Sequence, residues 1–346
     1  MSALPGTLRA QRLHSIASRY NGLRVAIVGD FCLDRYLEID PAKKEISLET
    51  GLPVHNVTHV RSQPGGAGTI LNNLVALGIG QIFPIGFYGE DGEGYELSRA
   101  LKHLRGVSLN YFFSTTERRT FTYTKPLLTR SGKIPKELNR LDLKNWTPTP
   151  TAIGQKLSRA IYQLASSVDA MIILDQTDIP RTGVVTREVL KALRSVAKSK
   201  PKLVIIADSR QGLRHFPSVT FKLNVNELAA HVGARIKLQP AQIRTAIGRL
   251  AKKHKHPMFV TLAERGIIGA TANGDVAHIQ ALPIRGEIDI VGAGDAVTAN
   301  LAAALAASAS NCEALEIANA AASVVIHKLG TTGTATIAEI SKLLRA

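Results

Sequence analysis

Residues 170–208 read AMIILDQTDIPRTGVVTREVLKALRSVAKSKPKLVIIAD. Two continuous apolar runs, 170–174 and 203–207, are short and rich in β-branched residues. They flank a segment, 182–197, in which Val189, Leu190, Leu193, Val196 and Ala197 recur at helical spacing with Lys191 and Arg194 between them. Strands that are apolar on both faces are covered on both sides, and a strand–helix–strand unit of this size sets its two strands parallel. The same alternation runs outward. Strands are expected at 24–29, 81–86 and 258–262, and helices at 67–77, 152–165, 241–253, 296–307, 312–327 and 337–344. A hairpin should join 258–262 to 267–270 across Glu264-Arg265-Gly266. The chain therefore reads as an α/β protein with a mainly parallel central sheet and helices on both faces.

Two segments break the rhythm. In 35–61, Val54, Val57 and Val60 recur among polar residues, and in 111–125 the run Thr120-Phe121-Thr122-Tyr123-Thr124 consists of β-formers. These are expected to build a small sheet outside the main one, a flap inserted in a single domain covering 1–346. Residues 126–150, with Gly132, Pro135, Pro148 and Pro150, read as a long loop.

Composition narrows the function classes. No run approaches 18 apolar residues, so no membrane span and no membrane partner are expected. Cys32 and Cys312 are too few for a disulfide framework, which favours a reducing cytoplasm. The net charge of +16 is uneven: residues 125–256 hold 25 Lys and Arg against 8 Asp and Glu, and the rest of the chain is balanced. Much of that excess falls on solvated helix faces. Aromatic residues make up only 5% of the chain, and no recognition motif accompanies the charge, so no specific nucleic-acid partner is expected.

Chemistry concentrates in four places. In 289–299, DIVGAGDAVTA, the glycines Gly292 and Gly294 let the backbone turn so that amides and the positive end of the following helix face one point, where an anion fits. Asp295 in the first turn is placed either to cap that helix or to accept a proton from an attacking hydroxyl. Asn224-Val225-Asn226-Glu227 offers an amide and a carboxylate one turn apart. That pair suits hydrated Mg²⁺, and it equally suits a helix capping box. Pro64-Gly65-Gly66-Ala67-Gly68-Thr69 is a glycine-rich helix start. Asp30 and Asp34, in GDFCLDRY (29–36), are carboxylates that could hold sugar hydroxyls or cap a turn.

Taken in order, these motifs resemble the PfkB/ribokinase family of carbohydrate kinases from about residue 24 to residue 340. Gly29-Asp30 through Tyr36, Arg61 through Ala67, Arg140-Leu141-Asp142 and Lys328-Leu329-Gly330-Thr331 are most similar to the heptose-7-phosphate kinases of lipopolysaccharide-core biosynthesis. Among the bifunctional members a nucleotidyltransferase domain follows, and only the kinase module is expected here. The resemblance implies a ribokinase-like three-layer α/β/α fold with a β-sheet lid, and ATP-dependent transfer to a sugar or sugar-phosphate hydroxyl.

By that resemblance Asp295 is the base and Gly292, Ala293 and Gly294 form the anion hole. Asn224 and Glu227 organise Mg²⁺ through water, and Asp34, Gly65, Gly66 and Thr69 meet the sugar. Adenine lies between Glu264–Gly266 and the region from Asn319 to Gly330. A K⁺-type cation is implied at backbone carbonyls near Asp289. Arg35, Arg118, Arg119 and Lys125 are candidates for a phosphate already on the acceptor, because a cationic flap suits one. The chain departs from the family at Thr69, where Asn is usual, at Ala263, and at Asp208-Ser209-Arg210, where Asp-Pro-Lys is commoner. A lid-mediated homodimer is a further expectation. The rival readings are a ribose- or fructose-type kinase and a non-catalytic binder that uses the basic middle segment.

Overall fold

Val25 to Val28 are all fully buried, yet they serve two different cores: Val25 and Ile27 pack into one, Ala26 and Val28 into the other. Alternating strand side chains require this when helices cover both faces of a sheet. A computed structural model describes residues 8–130, 135–234, 236, 238–330 and 332–345. Gly132 and Thr331 lie outside these.

The described elements are α1 (Ala10–Ala17), β1 (Arg24–Gly29), β2 (Phe31–Ile46), β3 (Pro53–Gly66), α2 (Ala67–Ala76), β4 (Gln81–Gly89), α3 (Gly92–Lys102), β5 (Phe112–Thr115), β6 (Phe121–Leu128), β7 (Lys136–Glu137), β8 (Leu141–Leu143) and α4 (Thr151–Leu164). There follow β9 (Ala170–Asp175), α5 (Arg187–Ser199), β10 (Val204–Ser209), β11 (Thr220–Asn224), α6 (Val225–Val232), α7 (Pro240–His254), β12 (Met258–Thr261), β13 (Ile267–Ala270), β14 (Val276–Ile279), α8 (Ala293–Ala306), α9 (Asn311–Ile326) and α10 (Ile337–Leu344).

The large sheet runs β14-β13-β12-β11-β10-β9-β1-β4-β5, parallel from β12 to β5, with β13 and β14 added antiparallel. Helices α4 to α7 cover one face and α1 to α3 with α8 to α10 the other. This is a ribokinase-like three-layer α/β/α fold with a second, smaller sheet. From β1 the chain builds outward through β4 and β5, then returns to place β9 on the other side of β1. The strand order therefore reverses between β1 and β9, and a crevice opens outside their carboxyl ends, the usual ligand position in such sheets.

The small sheet pairs β3 with β2 and β2 with β6, and β7 and β8 then add to β6. Three boundaries differ from the sequence reading. Residues 112–115 join the large sheet beside β4 instead of the flap. The loop 126–150 carries β7 and β8. The helix expected from 182 begins at Arg187, where Thr186 caps it through Val189 N–H at 3.3 Å. The stretch before it is held off helical geometry because Val184 N–H donates to Asp30 at 2.6 Å. Among the described residues no helix is long and apolar enough to cross a membrane.

Candidate active site

The turn before α8 has the geometry its glycines imply. Gly292 has φ +83°, a left-handed conformation, and a Cβ there would sit 2.5 Å from Thr332 Cγ2. Both facts exclude a side chain. Among the described residues no side chain caps α8; Ala293 N–H turns back to Ile290 O at 3.3 Å, which leaves the neighbouring amides of the turn without a side-chain partner. Nor does Asp295 act as a cap: among the described residues its partly buried carboxylate accepts no hydrogen bond. Burial, reinforced by Asp208 and Asp34, pushes that carboxyl up to about 7 against the pull of Lys222 and Arg210.

Lys222 is the group that sequence reasoning missed. It lies in β11, 6% exposed, with Nζ 2.8 Å from Asp208 Oδ2, to which Thr298 of α8 also donates at 3.2 Å. Burial alone would lower the ammonium, but Asp208, Glu227 and Asp295 outweigh it and hold Lys222 above the ordinary lysine range. A Cβ on Gly294 would come within 3.2 Å of Nζ, so the Gly-Ala-Gly turn rests directly on this ammonium. One signal was available, a lysine inside an otherwise apolar strand run. A second was that β1, β9 and β10 each end at or next to an aspartate: Asp30, Asp175 and Asp208.

These aspartates differ in use. Asp30 is structural, since its carboxylate accepts from the amides of Gln176 at 2.8 Å, Thr177 at 3.3 Å and Val184 at 2.6 Å. It pins the 176–184 loop across the crevice and is not free for a sugar. Asp175 accepts from Ser209 Oγ at 2.7 Å, and burial together with Asp30 pushes its carboxyl up to about 7.

Asn224 and Glu227 form the capping box of α6. Asn224 Oδ1 accepts from Glu227 N–H at 2.9 Å and Glu227 Oε2 from Asn224 N–H at 2.7 Å. Burial, then Asp208, raises the Glu227 carboxyl. Only its second oxygen remains for other work. Among the described residues no group of three His, Cys, Asp or Glu side chains converges as a metal cage.

On the small-sheet side, Asp34 is 8% exposed; burial raises its carboxyl, opposed by Lys125 and Arg140. Gly65 is glycine because a Cβ would meet Asp34 Oδ2 at 2.6 Å, and Gly66, at φ +57°, would place one 2.5 Å from Asp30 O. Thr69 is buried, its Cγ2 3.5 Å from the Cβ position of Gly292. The structure thus brings Asp34, Gly65, Gly66 and Thr69 alongside the α8 turn.

The flap cations fare differently, and two require correction. Arg35 forms ion pairs with Glu93, at 3.2 Å, and with Glu96 of α3, which fasten the small sheet to the body. Arg118 is buried and donates to the carbonyls of Thr147 and Pro148 at 2.9 and 3.0 Å, clamping that segment. Neither guanidinium is available to a ligand. Arg119 points outward, its side chain 63% exposed and 3.8 Å from Asp91. Lys125 alone of the four stands by Asp34, over the Tyr36 ring at 4.9 Å and 3.4 Å from its hydroxyl.

Glu264 lines a cavity of about 510 Å³ with Leu262, Ile268, His278, Gln280 and Arg244. Gly266, at φ +87°, closes that turn because a Cβ would sit 2.1 Å from Ile279 O. Asn319 is outside the cavity wall, its amide donating to Gln280 O at 2.8 Å. Gly330 O accepts from Arg61 at 3.4 Å, and Gln63 donates to Thr332 at 2.7 Å, so β3 is tied to the loop after α9.

Comparison with known proteins identifies the family and the fold. The model of the pfkB family carbohydrate kinases matches residues 24–338. The chain is 31% identical over 325 residues to the bifunctional protein HldE of Shewanella putrefaciens, covering 92% of this chain and 63% of that one. It is 30% identical over 308 residues to the HldE of Bradyrhizobium sp., covering 89% and 60%. The chain thus spans about three-fifths of these relatives. Among solved structures, Escherichia coli phosphofructokinase-2 in complex with potassium superposes with a TM-score of 0.71 at 19% identity, over 93% of this chain and 98% of that one. Arabidopsis thaliana ribokinase complexed with ribose and ATP gives 0.69 at 20%, over 94% and 99%. With a matched family model over nearly its full length and the family's fold around a Gly-Ala-Gly-Asp turn, the chain belongs to the pfkB family of carbohydrate kinases.

Proposed function

We propose that this kinase transfers the γ-phosphoryl group of ATP to a hydroxyl of a sugar phosphate, heptose 7-phosphate being the best candidate. The observation that carries the reading is Asp295: a carboxylate in the first turn of α8, free of hydrogen bonds from the described residues and pushed up to about 7, beside uncapped amides. A base needs a free lone pair and a pKa near the working pH.

In this reading the acceptor lies against Asp34, Gly65 and Gly66, and its hydroxyl gives its proton to Asp295 as its oxygen bonds to the γ-phosphorus and ADP leaves. The amides of Gly292, Ala293 and Gly294 stabilise the charge on the transferred group, and Lys222 backs that turn from the interior. Mg²⁺, when bound with the nucleotide, neutralises phosphate charge. The remaining Glu227 oxygen and the Asn224 cap fit a role in holding its waters. K⁺ near Asp289 and adenine beside Glu264 and Gly266 complete the proposal. The exposed apolar side chains of Ile46, Val57 and Val60 on the small sheet, with Leu48 and Leu52 in the turn between β2 and β3, support a homodimer through the lid.

A coupled ADP-release assay against heptose 7-phosphate, fructose 6-phosphate, heptose, ribose and fructose tests the function. The highest kcat/KM is expected with heptose 7-phosphate, and no ADP release with any of the five would refute the reading.

A further inference from the structure

The flap cations that could have met an acceptor phosphate are mostly engaged elsewhere, yet the crevice holds another arginine. We infer that Arg210 is the residue that binds a phosphate already carried by the acceptor, so that the acceptor class is a monophosphorylated sugar and not a free one; this rests on the kinase reading above.

Arg210 immediately follows β10, next to the strand-order reversal. Its backbone N–H donates to Asp175 O at 3.0 Å, which fixes the root of the side chain. With the Gln176 amide oxygen turned toward it, Nη2 and Nε lie 2.6 and 3.3 Å from that oxygen. The residue is exposed, and among the described residues no carboxylate lies within ion-pair distance of it. Such a guanidinium retains its remaining fork of donors for a ligand.

Its surroundings indicate which ligand. Gln176, which the guanidinium holds, has its Cγ 3.5 Å from the Cβ position of Gly66, so Arg210 stands beside the Gly65-Gly66 loop, and its charge bears on Asp295 and Glu227 as well. Asp34, Asp175, Asp208, Glu227 and Asp295 make this crevice strongly acidic. A dianionic acceptor enters it only if fixed cations face its phosphate. Lys222 is buried against Asp208, and Arg140 is held by Asp142 at 2.7 Å. Of the described cations named around the crevice, Arg210 and Lys125 are left, and of these two Arg210 offers the planar fork that grips a phosphate through two parallel bonds. A free sugar presents nothing to match it.

The test compares the full-length wild type with Arg210→Gln and Arg210→Lys on heptose 7-phosphate and on unphosphorylated heptose. In Arg210→Gln the ratio of kcat/KM for the phosphorylated over the unphosphorylated acceptor should fall roughly 30-fold, through KM, as expected for a charge-assisted bidentate contact. Arg210→Lys should recover part of the loss. An unchanged ratio overturns the inference, including the case in which both acceptors lose kcat equally, because Arg210 would then act on the transferred group. If the wild type releases no ADP at all, the kinase reading fails separately. Calorimetric titration of heptose 7-phosphate without nucleotide still decides the role of Arg210: equal affinity in wild type and Arg210→Gln refutes it, and weaker binding by the variant upholds it.

Discussion

Lys222 Nζ lies 2.8 Å from Asp208 Oδ2, with both side chains less than 10% exposed. The pair sits directly under the Gly-Ala-Gly turn. A buried ion pair of this kind is tolerated only when both partners are present, since removing one leaves a desolvated charge. Lys222→Met should therefore lower unfolding stability by about 3 kcal/mol in urea titration. Restoring neutrality in Lys222→Met/Asp208→Asn should recover most of it. If the double variant is as unstable as the single one, the pair does not act as a unit.

Asp295 gives the pH dependence a definite sign. Only the ionised form accepts a proton, and its carboxyl is pushed up to about 7. The kcat/KM profile for the acceptor should therefore lose activity as pH falls through about 7, roughly tenfold per unit below it. Asp295→Asn should cut kcat by roughly 10²- to 10⁴-fold. The same substitution should raise the Tm at pH 8: a raised native carboxyl means that folding disfavours the ionised form, and this cost is absent below the unfolded-state value near 4. A Tm at pH 8 equal to that of wild type would contradict the placement of this carboxylate.

Gly292→Val combines two penalties, a left-handed φ of +83° and a Cβ 2.5 Å from Thr332. Strain of this kind costs about 1–3 kcal/mol. The displaced turn should also abolish ADP release while the far-UV circular dichroism stays native. Retention of more than a tenth of wild-type turnover would count against an anion hole at this turn.

Glu227 separates capping from metal work. Glu227→Gln keeps a side-chain oxygen for the Asn224 amide, so the capping box of α6 and the thermal stability should persist. The charge is lost, and the Mg²⁺ concentration for half-maximal rate should rise severalfold. Asn224→Ala, in contrast, removes the cap and should cost about 1 kcal/mol. An unchanged Mg²⁺ requirement in Glu227→Gln would leave the motif with capping alone.

The local code of this chain was legible without coordinates. Apolar runs such as 170–174 and 203–207 mark central strands because only a strand covered on both faces is apolar throughout. Gly292 and Gly266 mark turns because only glycine takes their backbone angles without strain. The partition of β5 was not legible: residues 112–115 and 121–128 are similar short β-forming runs, and which sheet each joins depends on the neighbour that meets it.

The same holds for charge. Arg35, Arg118 and Arg210 are indistinguishable as letters. Folding brings Glu93 and Glu96 to the first, backbone carbonyls to the second, and no carboxylate within ion-pair distance, among the described residues, to the third. The sequence determined the α/β alternation, the Gly-Ala-Gly-Asp turn and the capping box, because each arises from residues a few positions apart. Tertiary structure decided which ionic groups are neutralised and which stay open, and brought Lys222 to Asp208 and Asp295, because Coulomb interactions act through space between groups that the chain keeps far apart.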